Sequence, residues 1–138
     1  MHNEVIIYTD GGSRGNPGPS AIGVVIDLGG RGVKEYSAFL GERTNNEAEY
    51  EAVIFALKKL KALVGSGQAK RSEVTIYLDS ALVASQLQGQ YKIKEKNLYP
   101  LFISVWNISH DFASVGFLAV TRDKNRRADQ LVNQALNG

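Results

Sequence analysis

Apolar and polar positions along the chain fall into blocks whose spacing changes, and each block predicts an element. Val5 to Thr9 is a short, apolar, β-branched run, the pattern of a central strand. A segment dense in glycine and proline separates it from Ala21 to Leu28, a second strand, and Asp27-Leu28-Gly29-Gly30-Arg31-Gly32 makes the turn that follows. Val33 to Leu40 is a third strand, less apolar and so nearer a sheet edge. Short connections make these three an antiparallel meander. Thr44-Asn45-Asn46-Glu47 has capping-box spacing and opens a long helix. Its apolar stripe runs Val53, Ala56, Leu57, Leu60 and Val64, and Gly65 and Gly67 stop it.

The second half alternates strand and helix. Ser72 to Leu78 is a fourth strand, and the helix before it lets it lie parallel to the first through a right-handed crossover. Ser80 to Gln88 is a short helix. Leu98 to Ser109 is another, with Pro100 in its tolerant first turn. Ala113 to Val120 is a fifth strand. Asn125 can cap a final helix to Leu136, with Ala128, Leu131, Val132 and Ala135 as its stripe. Trp106 reads as a core residue, and the lone His110 as structural or exposed. The alternation defines an α/β fold with no internal repeat.

Composition narrows the class. With 138 residues, 43% hydrophobic and 22% charged, the chain reads as one globular domain, 1–138. No cysteine means no disulfide, no thiolate metal site and no cysteine nucleophile. No apolar run approaches the ~20 residues of a membrane span and no signal peptide opens the chain, so the default expectation is a cytoplasmic protein without a membrane role. The net charge of +2 permits an anionic partner without demanding one. Its distribution is more telling: Lys92, Lys94 and Lys96 cluster in a loop, and Arg122, Lys124, Arg126 and Arg127 in another segment. Either cluster is equally readable as solvated surface.

The carboxylates carry the candidate chemistry. Asp10 stands where the first apolar run stops, followed by backbone amides with little side-chain cover, an arrangement suited to a metal and a phosphate. Asp also simply opens turns. Asp79 follows the fourth strand in the same way, so both stand at the carboxyl edge of one sheet, where α/β ligand sites form. Glu49 falls on the buried stripe of the long helix, whereas Glu51 falls opposite it. A carboxylate facing the core needs a partner; the alternative is a part-exposed Glu favoured by the helix N-terminal dipole. Asp129 borders the last helix's stripe, in its first turn. Four acids converging on one edge cannot all ionise without a cation. Hard divalent ions are the natural remedy, Mg²⁺ above all when phosphates are the substrate. Two such ions about 3.5–4 Å apart can activate water and stabilise the leaving oxygen of a phosphodiester.

With YTDGGSRGNPGP, TNNEAEY, YLDS and NRRADQLV in this order, the sequence resembles the type 1 ribonuclease H family over nearly its whole length. The resemblance implies a five-stranded mixed sheet, order 3-2-1-4-5, with helices on both faces. It implies Mg²⁺- or Mn²⁺-dependent hydrolysis of the RNA strand of RNA–DNA hybrids, leaving 5′-phosphate and 3′-hydroxyl ends. Asp10, Glu49, Asp79 and Asp129 match the family's metal-binding carboxylates. Ser13, Asn16, Asn45 and Asn46 match positions that contact the hybrid, and Thr44 a contact to a DNA phosphate. A monomer without an obligate protein partner is expected.

Three departures stand out. The basic helix and loop of many bacterial relatives shrink here to GQYKIKEKNL, leaving Lys92, Lys94 and Lys96 as the substitute handle. Ala81 stands where many relatives carry Gln, two residues after the third carboxylate. Arg122 occupies the loop where better-known relatives carry a mobile His, as in a shorter archaeal and bacterial subgroup. The loop arginine is either solvated or a phosphate contact that contributes to catalysis. Rival readings are an integrase-, transposase- or resolvase-like nuclease of the same fold, a module that grips hybrids without cutting, and an actin-like ATPase, for whose second lobe 138 residues leave no room.

Overall fold

The computed structural model describes residues 3–138, so His2 lies outside the described residues. Five strands form one sheet: β1 (Asn3–Ser13), β2 (Gly18–Asp27), β3 (Val33–Arg43), β4 (Ser72–Leu78) and β5 (Ser114–Ala119), in the order β3-β2-β1-β4-β5. β1, β2 and β3 pair antiparallel, and β4 lies parallel to both β1 and β5. This is the mixed α/β sheet that the alternation of elements predicts, with β3 at an edge.

Helices α1 (Asn45–Ala69), α2 (Ala81–Leu87), α3 (Tyr99–Ser109) and α4 (Arg126–Asn137) cover the sheet. α1 packs on β1 and β2 with α3 beside it, and α4 covers β2, β3 and β1 from the other face. On β4, Val74, Ile76 and Leu78 are buried and alternate with half-buried neighbours, the period-2 signature of a strand. Val5 and Ile7 of β1 join them beneath Val53, Ala56, Leu57 and Leu60 of α1, all four without solvent exposure. Each buried Val, Ile or Leu side chain here contributes about 1.5–3 kcal/mol relative to leaving it in water, so this layer fixes α1 against the sheet.

The capping box at α1 is complete: the Thr44 hydroxyl accepts from the Glu47 amide at 3.2 Å, and Glu47 Oε1 accepts from the Thr44 amide at 2.8 Å. The Thr44 amide holds the Glu47 carboxyl below its ordinary range. Gly65 breaks the helix with φ +83°, but a further turn runs on to Ala69.

Three expectations need correction. Asp10 does not end its strand: β1 continues to Ser13, pairing Gly11, Gly12 and Ser13 with Ile22, Ala21 and Ser20. An apolar run marks where a strand is buried, whereas ladder pairing needs only backbone. Trp106 is not a core residue but 57% exposed. α3 turns Val105 inward, and the next residue lies about 100° round the helix; Trp106 instead meets the His110 ring at 4.2 Å between centroids. Finally, Asn125 precedes α4 without making a side-chain cap, because its amide is engaged elsewhere.

Candidate active site

The register of the central parallel pair builds the site. Thr9 lies beside Leu78, so the next residues, Asp10 and Asp79, stand together at the same edge. Two glycines bring the helices to them. A Cβ on Gly11 would lie 2.2 Å from the carbonyl oxygen of Ala48, so the start of α1 rests directly on the β1 backbone. A Cβ on Gly23, the residue paired with Asp10, would lie 2.1 Å from the carbonyl oxygen of Ala128, so α4 rests as closely on β2. The next residue along each helix is a carboxylate: Glu49 and Asp129. No side chain other than hydrogen leaves room for either approach.

The resulting cleft, of about 470 Å³, is lined by Asp10, Ser13, Asn45, Asn46, Glu49, Asp79, Arg122 and Asp129 among others. Carboxylate oxygens of Asp10, Glu49 and Asp79 all lie within 4.8 Å of one another. Asp129 borders the same cleft from an exposed position, and its charge and hydrogen bond reach Asp10.

Asp10 and Glu49 are each only 6% exposed. Burial first, then the charge of Asp79, pushes the Asp10 carboxyl up to about 7. Glu49 is raised well above the ordinary range by burial first, then by Asp10 and Asp79; a hydrogen bond from the Gly11 backbone opposes this. Glu49 and Asp10 share a hydrogen bond that favours the proton on Glu49. Glu49 Oε2 is buried without a partner. A buried, crowded set of acids that retains a proton near neutral pH is a site short of positive charge.

The hairpin tip and the start of α1 interlock beside these acids. The Ser13 amide donates to Asn45 Oδ1 at 3.0 Å, and the Asn45 amide donates to Asn16 Oδ1 at 2.9 Å. Asn46 Nδ2 donates to Glu95 Oε1 at 2.8 Å, tying the lysine loop to α1. Asn16, Thr44, Lys92, Lys94 and Lys96 do not line the cleft itself. The three lysines are exposed on their loop.

Sequence reasoning missed several cleft residues. Arg14 lines the cleft and donates to Asn137 Oδ1, and Asn133 donates to the Asp129 carbonyl oxygen at 3.2 Å. Ser80, next to Asp79, also lines it. Asn125 is buried behind it. Its signal was present in NRRADQLV, but cap spacing gave that residue a sufficient local explanation.

The sheet order, with acids gathered where β1 and β4 run side by side and two helix starts meet them, defines a ribonuclease H-like α/β domain. The chain belongs to the RNase H family, whose model matches residues 2–137. LC11-RNase H1, isolated from compost by a metagenomic approach, is 46% identical with a TM-score of 0.89, over 98% of this chain and 96% of that one. That protein has also been solved in complex with an RNA/DNA hybrid. RNase H1 from the halophilic archaeon Halobacterium salinarum is 35% identical with a TM-score of 0.88, over 97% of this chain and 98% of that one. The Bifunctional protein Rv2228c of Mycobacterium tuberculosis is 33% identical over 136 residues, 97% of this chain but 36% of that protein. The chain thus spans about a third of the length of the first curated relatives it matches.

Proposed function

We propose that the domain hydrolyses the RNA strand of RNA–DNA hybrids, leaving 5′-phosphate and 3′-hydroxyl ends. The observation that carries this reading is the gathering of Asp10, Glu49 and Asp79 within 4.8 Å in a chain of the RNase H family. The donor set fits a hard divalent cation: carboxylate oxygens without thiolate or imidazole in the described cleft, and a buried Glu49 Oε2 lacking a partner. Asp10, Glu49 and Asp79, with Asp129 at the open side, would hold a pair of Mg²⁺ ions, with Mn²⁺ as substitute. Bound there, such ions supply the positive charge that activates water and stabilises the departing 3′-oxygen.

The chain's own residues select and hold the substrate. Ser13, Asn45 and Asn46 place hydroxyl and amide groups in the cleft, suited to the 2′-hydroxyl that distinguishes RNA from DNA. Asn16 holds the Asn45 backbone in place, and Thr44 stands at a helix start, where backbone amides favour a phosphate. The hybrid complex of LC11-RNase H1 supports this class of substrate. Contacts to sugar and phosphate carry no sequence information, so sequence preference should be weak. The test is incubation of a labelled hybrid, a matched DNA duplex and a matched RNA duplex, with and without Mg²⁺. Cutting of the RNA strand of the hybrid alone, only with Mg²⁺, is expected. Robust cutting of the DNA duplex would instead favour an integrase-like nuclease.

Arg122 lines the cleft at the start of a short 3₁₀ turn, Arg122–Asn125, that leads into α4. Its planar guanidinium offers a fixed fork of donors. It can grip a phosphate in two places and offset charge growing on the scissile group. Arg122→Ala should slow turnover on saturating hybrid by roughly one to three decades, and Arg122→Lys should recover part of the loss. His110 sits outside the cleft on α3, so His110→Ala should leave turnover and its pH profile near wild type.

The exposed lysine loop serves affinity. Replacing Lys92, Lys94 and Lys96 together by Ala should weaken hybrid binding and flatten its salt dependence, by about one logarithmic unit for each phosphate that a lysine neutralises. Turnover at saturation should change little. A triple variant with wild-type salt dependence would mean these lysines are merely solvated.

A further inference from the structure

Asn125 is 1% exposed, a burial that an amide side chain rarely tolerates without a task. Its Nδ2 donates to the carbonyl oxygen of Thr9 at 2.8 Å and lies 3.4 Å from Asp79 Oδ2. Thr9 is the residue before Asp10 on β1, Asp79 ends β4, and Asn125 itself closes the turn that begins at Arg122 and leads to Asp129 on α4. One side chain therefore joins the three segments that carry three of the four acids and the loop arginine. With Nδ2 donating there, Oδ1, the atom that would have to accept from the α4 amides in a cap, is left buried without a partner. A buried acceptor without a partner costs about 1–3 kcal/mol, so the position is not explained by stability of the turn.

We infer that Asn125 is a positioning residue: its amide fixes the rotamer of the Asp79 carboxylate and the register of the Arg122 turn against β1, and thereby sets the geometry in which the acids bind divalent cation. This rests on reading Asp10, Glu49 and Asp79 as the cation site of a nuclease. Partners that orient a ligating carboxylate typically carry 10–100-fold in metal affinity or activity.

The test uses two variants of the whole chain. Asn125→Leu is close to isosteric and removes both donated hydrogen bonds while keeping the space filled; Asn125→Ala removes the side chain. Val74→Ala, in the core on β4 away from the acids, supplies a control of lowered Tm. Mg²⁺ affinity is read by calorimetry, and kcat and KM on hybrid by steady-state kinetics. Both Asn125 variants should bind Mg²⁺ roughly tenfold or more weakly and lose about one to two decades of kcat, with KM for hybrid within about twofold. Val74→Ala should lose Tm alone. Mg²⁺ affinity and kcat within about twofold of wild type in whichever Asn125 variant folds would overturn the inference. So would losses that Val74→Ala matches at equal Tm. A wild type that binds Mg²⁺ but leaves hybrids intact would sink the nuclease reading, and calorimetry would still decide Asn125; a wild type that binds no Mg²⁺ would overturn both.

Discussion

Asp10→Asn should abolish Mg²⁺-dependent cleavage, by roughly three decades or more, while leaving the fold intact. The substitution keeps the shape and removes one charge from the centre of the acid cluster, where Asp10 meets Glu49, Asp79 and Asp129 at once. Asp79→Asn and Glu49→Gln should follow it, whereas Glu47→Gln, which keeps a capping group, should be mild. An inactive Glu47→Gln beside an active Glu49→Gln would overturn the assignment of the cluster.

The same variant should change how stability depends on pH. The folded Asp10 carboxyl is raised to about 7 from an ordinary 3.8, by burial first and then by Asp79. A raised folded value means the native state holds the extra proton. Its stabilising contribution is fully present below the unfolded value and is lost as pH rises through about 7. Metal-free wild type should therefore lose on the order of 4 kcal/mol between pH 4 and pH 8 from this group, and Asp10→Asn should lose correspondingly less. Urea unfolding across that window, without and with Mg²⁺, checks both statements. Mg²⁺ should stabilise the wild type at pH 8 and do far less for the variant, since the ion binds the deprotonated site.

Gly11→Ala should be nearly as damaging through geometry alone. Its new Cβ would lie 2.2 Å from Ala48 O and 2.5 Å from the Glu49 amide nitrogen. Both are backbone atoms that no rotamer can move aside, so the start of α1 must retreat by roughly an ångström. Overpacking of this kind costs about 1–3 kcal/mol, and a 1 Å misplacement of a catalytic group costs roughly 10²-fold in rate. Gly23→Ala should act in parallel on α4 and Asp129, with the clash at Ala128 O. Gly30→Ala, with nothing within 4 Å, is the control and should be neutral. Urea midpoints and kcat on saturating hybrid read the result: wild-type turnover in Gly11→Ala would show that α1 is not held at its observed distance by that glycine.

These glycines mark the boundary between what was legible and what was not. Glu49 could be placed on the buried face because a helix has a fixed period, and Asp10 and Asp79 at one edge because a helical crossover makes their strands parallel. The capping box was legible for the same reason: its partners are three residues apart and their contact is set by local geometry. Trp106 failed because period alone does not say which of two adjacent residues faces the core when both flanks of α3 are apolar. Asn125 failed because a local role hid a distant one.

The sequence by itself determined the order of the elements, the family and four candidate acids, since each follows from spacing within one strand or helix or from motifs in order. Only the tertiary structure decided which acids touch. Asp10, Glu49 and Asp79 form the tight cluster, and Asp129 stays at the open side. Only the fold revealed Gly11 and Gly23 as contact points and Asn125 as a bridge from α4's approach to β1 and β4. The physical reason is range: periodicity and caps act over a few residues, whereas the Asn125–Thr9 hydrogen bond joins positions 116 apart and exists only once the turn before α4 has closed on the sheet.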